Sequence, residues 1–243
     1  MTADELTGHA DLPRTDDLPA LPHRLGSVMR HIVGPYLRHR YELTIHHEDR
    51  FPLTGPVLLA PNHLGLLDGP LLGATAPRML HQLGKIEAFH GFQGFFLNRA
   101  GQIAVDRTTY DVRAIRRSIQ VLRDGRALSV YPEGTRGAGD FRGIRTGVAY
   151  LAMVTGAPIL PVALLGTRLP GGDVEHYPPR GSRVHVVYGE SFTVDRVSFP
   201  RRHVEVRAVA DQIGDVLRAH VRAAVEATGH PLPGRPDKKD PDD

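Results

Sequence analysis

The chain has 243 residues, 41% of them hydrophobic, which is the content of a globular protein and enough for one α/β domain with a sizeable core. It contains no cysteine, so disulfides, thiolate metal sites and a covalent cysteine mechanism are excluded. The formal charge of +3 is unevenly placed: Asp4, Glu5, Asp11, Asp16 and Asp17 oppose Arg14 in residues 1–21, four Asp oppose Lys238 and Lys239 in 237–243, and residues 22–236 are left with +9. A folded part this basic calls for an anionic partner, whether a phosphorylated substrate, a nucleic acid or an anionic lipid.

Residues 1–21 are polar, with two prolines and no periodicity, and are expected to be a disordered leader. Early acids and the lack of an apolar core speak against a signal peptide. Residues 22–40 change character abruptly. They carry Arg24, Arg30, Arg38 and Arg40 with no acid, and Leu25, Val28, Met29, Ile32 and Val33 recur at helical spacing. Such a basic amphipathic helix can lie in a lipid interface, or pack on the domain with its arginines solvated. No stretch of about 18 apolar residues is present to span a bilayer.

From Tyr41 the pattern alternates. YELTIHH and PVLLAPN read as strands, LDGPLLGATA as a helix, and HQLGKIEAF and GQIAVDR as short strands around an apolar segment. Asp111 to Asp124 reads as an amphipathic helix with Val112, Ile115, Ile119 and Leu122 in one stripe, ended by Gly125. RALSVYP is a buried strand, residues 145–155 a helix, and APILPVALL and RVHVVYG strands. His203 to Thr228 is a final helix that buries Ile213, Leu217, Val221 and Val225, and the proline-rich residues 230–243 are expected to be a disordered tail. Strands alternating with helices predict an α/β fold: a mostly parallel central sheet flanked by helices, in a single domain over residues 22–229.

Three stretches can carry chemistry. In LLAPNHLGLLDGP a buried strand ends at a turn bearing Asn62 and His63, with Asp68 five residues on. Ligands of α/β sheets bind beyond the carboxyl ends of strands, where these residues fall. Positions five apart lie about 140° apart on a helix, so the two side chains cannot share a face of a regular one. A loop opening into a helix can bring Asp68 onto Nδ1 of His63, fixing the tautomer and leaving Nε2 to take a proton. Taken alone, the spacing fits better with Asp68 as an N-cap. In LSVYPEGTRGAGDFRG a second strand runs into a turn shaped by Pro132 and Gly134, where Glu133, Thr135 and Arg136 supply charge and a hydroxyl. Arginine matches phosphate in bidentate fashion. In the third stretch Lys85 precedes Phe89, Phe92, Phe95 and Phe96, and the segment closes on Asp106 and Arg107. Those rings line an acyl chain or are plain core.

Together these blocks make the chain resemble the glycerolipid acyltransferase superfamily, and within it the 1-acyl-sn-glycerol-3-phosphate acyltransferases. The NHxxxxD block matches Asn62, His63 and Asp68, the block ending in VDR matches Gly101 to Arg107, PEGTR matches Pro132 to Arg136, and a short apolar block matches Ala157 to Val162 around Pro161. Order and separation agree from about Val57 to Ala163. Many members have serine where Gly65 stands and phenylalanine where Tyr131 stands.

The resemblance implies an O-acyltransferase of phospholipid biosynthesis. His63 would deprotonate the free hydroxyl of lysophosphatidic acid, which attacks the thioester of acyl-CoA or acyl-carrier protein, and Asp68 would orient the imidazole. Glu133, Gly134, Thr135 and Arg136 would hold the phosphate with Arg107 and Lys85. The donor site would involve Asn62, Phe92, Phe95 and Pro161. The resemblance calls for no bound cofactor and no metal, and the acyl donor is a co-substrate. Other acceptors for the same chemistry are glycerol 3-phosphate, another lysophospholipid or a glycolipid. A non-catalytic lipid-binding module would account for the basic charge without using a His63–Asp68 pair. The expected place is the cytoplasmic, inner face of the cell membrane, against its anionic surface. The sequence has no helix-turn-helix or aromatic-basic RNA signature, so no nucleic acid is expected, and it lacks a phosphate-binding G-x-x-x-x-G-K-[ST] loop.

Overall fold

The computed structural model describes residues 12–236. Seven strands form one sheet in the order β1-β7-β6-β2-β5-β3-β4. They are β1 (Glu42–His46), β2 (Val57–Pro61), β3 (Leu80–Lys85), β4 (Ile103–Val105), β5 (Ala127–Ser129), β6 (Ile159–Leu165) and β7 (Arg183–Tyr188). All pairings are parallel except β6 with β7. The mostly parallel sheet of the α/β reading is therefore present, with one reversal. The carboxyl ends of β2, β3, β4, β5 and β6 share one edge, and β1 and β7 begin there.

Every residue of β2 and β6 is buried, which is why both read as unbroken apolar runs rather than alternating ones. Helices α4 (Val112–Arg123), α5 (Gly147–Thr155) and α6 (His203–Thr228) cover one face with Ile119, Leu122, Leu151, Met153, Ile213 and Leu217. Helices α1 (Arg24–Arg40) and α2 (Asp68–Thr75) cover the other with Leu37, Leu71 and Leu72, beside Phe51 and Tyr188. Helix α3 (Gly91–Arg99) occupies the apolar segment between β3 and β4, and the second half of the expected HQLGKIEAF strand is a 3₁₀ turn, Ile86–Phe89. Asp111 caps α4 by accepting the Ala114 N–H at 2.9 Å. Val112 is exposed, because the buried face of α4 turns instead through Ala114, Ser118, Val121 and Leu122.

The two ends depart from expectation where they are described. Residues 12–21 are not loose but lie along the polar face of α4. Arg123 Nη1 donates to the carbonyl of Pro13 at 3.0 Å, Gln120 Nε2 to that of Leu18 at 2.9 Å, and Arg116 pairs with Asp17. Arg126, just beyond the helix, donates to the carbonyl of Leu21 at 3.1 Å. Carbonyls serve as acceptors whatever the residue, so this segment needs no periodicity to dock. At the other end Leu232 packs on the core and the carbonyl of Gly234 accepts from Arg168 at 2.6 Å. Residues 1–11 and 237–243 of the expected leader and tail lie outside the described residues.

Helix α1 also differs from a simple one-sided amphipathic helix. Leu25, Met29 and Val33 are half-buried, whereas Val28, Ile32 and Tyr36, four residues apart, are exposed as a second apolar stripe. Arg30 is not left to water, since its Nη1 donates to the carbonyl of Ala76 at 2.6 Å. No helix among the described residues is long and apolar enough to cross a membrane.

Candidate active site

The first of the two motif loops leaves β2 at Pro61. Asn62 is fully buried and bridges to β6: its Nδ2 donates to the carbonyl of Leu164 at 3.0 Å and its Oδ1 accepts the Leu164 N–H at 2.7 Å. That spends the side chain on fixing the loop to the sheet, so the expected donor-site role does not hold for Asn62.

His63 follows, with its side chain 21% exposed, and its Nδ1 lies 2.7 Å from Oδ2 of the fully buried Asp68. Asp68 is the first residue of α2, after an N-cap position held by Leu67 without a side-chain cap. Its carboxylate turns back: Oδ2 also accepts the backbone N–H groups of Leu64 at 2.6 Å and Gly65 at 2.9 Å. The loop that opens into the helix thus folds around the carboxylate, and the dyad replaces the N-cap favoured by spacing alone. An anion in the first turn is further favoured by the helix dipole. With Nδ1 on the carboxylate, Nε2 is the nitrogen left to accept a proton. The ring stacks on Tyr131 at 4.0 Å between centroids, with an interplanar angle of 27°. The Tyr131 hydroxyl is buried without a partner, and burial together with the charge of Asp68 holds it well above the usual range for a phenol.

The second loop leaves β5 through Tyr131 and Pro132. Glu133 Oε1 accepts the backbone N–H of His63 at 2.9 Å, and the N–H of Gly137 donates back to the carbonyl of His63 at 2.8 Å. The PEGTR turn and Gly137 therefore grip the backbone of His63 on both sides. Burial pushes the Glu133 carboxyl up to about 8, aided by the charges of Asp140 and Asp68 and opposed by the N–H groups of His63 and Gly139. The expected phosphate contact by Glu133 is thus corrected to a backbone clamp, since a carboxyl turned inward on a peptide N–H is not offered to an anion. Gly134 has φ +75°, and a Cβ there would sit 2.3 Å from Arg145 Nε. Only glycine fits this turn. Phe141, fully buried at φ +52°, pins the far end of the loop into the core.

The cationic residues are only partly gathered. Arg107 Nη1 donates to the carbonyl of Gly134 at 3.0 Å, so the VDR block and the PEGTR turn do meet. Arg136 is buried, with Nη2 on Glu175 Oε1 at 2.6 Å and Nη1 on the carbonyl of Val174 at 3.4 Å. Val174 also accepts the N–H of Leu66 at 3.0 Å, so residues 173–175 close over the catalytic loop. Lys85 ends β3 on the same sheet edge, and Thr135 lies within the turn.

The other expected donor residues differ in burial. Pro161 is buried inside β6, in register with Ala60, and lines the sheet rather than a cleft. Phe92 is 79% exposed and Phe95 is also exposed on α3, so neither ring is core. Sequence reasoning missed Arg168 and Glu175, which lie outside the motif blocks. No sequence signal marks Arg168, because its partners are backbone carbonyls. Among the described residues no group of three or more His, Asp or Glu is arranged to hold a metal.

A carboxylate-oriented imidazole at the carboxyl edge of a parallel sheet, flanked by arginines, can deprotonate a hydroxyl beside an anionic group. The acyltransferase family model matches residues 42–165. The chain is 27% identical over 124 residues to the 1-acyl-sn-glycerol-3-phosphate acyltransferase of Bacillus subtilis, covering 50% of this chain and 62% of that protein. It is 32% identical over 111 residues to the lyso-ornithine lipid O-acyltransferase of Pseudomonas aeruginosa, covering 45% and 43% respectively. The chain thus matches less than two thirds of the length of these relatives. The crystal structure of the 1-acyl-sn-glycerophosphate (LPA) acyltransferase of Thermotoga maritima has the same fold, with a TM-score of 0.59 at 22% identity over 83% of this chain and 78% of that one.

Proposed function

The chain belongs to the acyltransferase family, and on that premise we propose that it moves a fatty acyl group from acyl-CoA or acyl-carrier protein to the free hydroxyl of 1-acyl-glycerol 3-phosphate, giving phosphatidic acid. The observation that carries this reading is the His63 Nδ1–Asp68 Oδ2 contact of 2.7 Å, made beside the turn where Arg107 meets Gly134. Nε2 of His63 takes the hydroxyl proton, the oxygen attacks the thioester carbonyl, and the thiolate leaves and is reprotonated. A positioned general base contributes about 10²–10⁴-fold, and holding two substrates in line contributes up to roughly 7–11 kcal/mol. The protein needs no bound cofactor or metal in this scheme, because the donor brings the activated acyl group.

The test is purified protein with lysophosphatidate and a panel of acyl-CoA and acyl-carrier donors, followed by product analysis. Phosphatidate formed by wild type and not by His63→Ala supports the proposal. No transfer with any donor sinks it. The second reading is the same chemistry on another acceptor, and the observation that favours it is Arg136, which carries Glu175 as a partner. Competition among lysophosphatidate, glycerol 3-phosphate and lysolipids with cationic head groups separates the two.

The enzyme works, on this proposal, from the cytoplasm at the inner face of the cell membrane. The arginines of α1 meet anionic lipid head groups while Val28, Ile32 and Tyr36, with Phe92 and Phe95 of α3, enter the interface. Co-sedimentation with vesicles rich in anionic lipid, weakened by Ile32→Glu, is the expected result. Equal sedimentation of the two proteins removes α1 from the membrane face.

A further inference from the structure

Arg168 follows β6 and is 2% exposed. A guanidinium buried to this extent is costly unless its donors are matched. Four carbonyls match them: Nε donates to Leu64 at 2.8 Å, Nη1 to Gly172 at 2.9 Å, and Nη2 to Gly137 at 2.9 Å and Gly234 at 2.6 Å. These acceptors come from the catalytic loop, from the residue after Arg136, from the loop beyond β6 and from the chain beyond α6. The planar fork reaches all four at once, which a lysine ammonium on a single stem does not.

One of these bonds leads to the dyad. The peptide joining Leu64 to Gly65 has its carbonyl on Arg168 Nε, and its N–H on Asp68 Oδ2 at 2.9 Å. The same Oδ2 receives His63 Nδ1 at 2.7 Å. A buried cation, one peptide dipole, a carboxylate and the imidazole are therefore in series, and each polarises the next.

We propose that Arg168 is a positioning residue of the transfer reaction: it locks the Leu64–Gly65 peptide against Asp68, adds its charge to the field at the His63 ring, and through Gly234 makes residues 230–236 part of the active-site scaffold. The inference rests on the role proposed for His63. The positive charge of Arg168 opposes a second positive charge on the imidazole, and it strengthens the N–H bond that the Leu64–Gly65 peptide makes to Asp68. Removing it favours imidazolium on both counts. The other titratable or charged groups facing His63 are Asp68 on α2, Tyr131 and Glu133 after β5, with Asp140 behind Glu133, and Arg136 with Glu175 beyond Gly137.

The experiment compares Arg168→Gln, Arg168→Lys and Gly234→Val in the full chain. The pH dependence of kcat/KM is read beside the NMR titration of the His63 ring, assigned by its loss in His63→Ala. For Arg168→Gln both midpoints move up by roughly half a pH unit or more, and kcat falls about 10–100-fold while KM for acceptor changes little. Arg168→Lys keeps the midpoint near wild type and loses less kcat, since the charge stays and the fork is lost. Gly234→Val has open space around its new side chain but strained backbone at φ +75°. It lowers kcat several-fold and leaves the midpoint in place. An Arg168→Gln protein with an unmoved midpoint has only lost structure, and that result overturns the proposal. If Arg168→Gln does not fold, Arg168→Lys decides: wild-type kcat, or a shifted midpoint, overturns it. Unchanged kcat in Gly234→Val removes the scaffold role of residues 230–236. The NMR titration needs no turnover, so failure of the proposed function and failure of this inference are told apart.

Discussion

Glu133 holds His63 by its backbone: Oε1 accepts the His63 N–H at 2.9 Å, while the imidazole of the same residue is oriented from the other side by Asp68. Glu133 therefore works through the peptide chain, and this changes what substitution and pH should do.

Burial raises the Glu133 carboxyl to about 8 in the folded protein, against an ordinary value of 4.5. The folded state thus keeps a proton that the unfolded state releases, so the stabilising contribution is complete below about 4.5 and is lost as pH rises through about 8. Thermal midpoints of wild type should decline across that window. Glu133→Gln, which cannot ionise, should show a shallower decline. Parallel pH profiles for the two proteins contradict a protonated Glu133.

The dyad predicts two grades of damage. His63→Ala should lower kcat by about 10²–10⁴-fold with an unchanged melting temperature. Asp68→Asn should lower kcat and also the melting temperature, because Oδ2 receives two backbone N–H groups as well as the ring. Near-normal turnover in His63→Ala would falsify the base assignment.

Two glycines should respond in opposite ways. Gly134→Ala forces a Cβ into Arg145 at a positive φ, and should cost about 1–3 kcal/mol of stability and much of the activity. Gly65→Ser should be tolerated, since a Cβ there meets Arg168, Val174 and Thr167 at ordinary distances of 3.5–3.6 Å. Chemical denaturation of both variants checks the contrast.

Arg136 and Glu175 should act on the acceptor and not on the donor. Arg136→Ala should raise the acceptor KM at least about tenfold, as expected for loss of a charge-assisted contact, with little change for the donor. Glu175→Gln should lower the KM of an anionic acceptor, because it removes a competing carboxylate from Arg136. Equal changes in both Michaelis constants count against a phosphate role.

The sequence by itself determined the element order, the largely parallel sheet and the loops that hold the chemistry. Continuous apolar runs such as Val57–Pro61 and Ile159–Leu165, short and bounded by turn residues, read as strands buried on both faces, and their carboxyl ends mark where a ligand binds. It also supplied His63 and Asp68, but only because the other blocks follow in register; the spacing of the pair by itself fits a helix cap better. Tertiary structure alone decided which way each motif side chain points. Asn62 and Glu133 turn inward to serve the backbone, Pro161 vanishes into β6, and Phe92 and Phe95 face outward. Arg168 and the docking of residues 12–21 were illegible for one physical reason. Their partners are peptide carbonyls, which every residue offers alike, and only folding selects which of them come within reach.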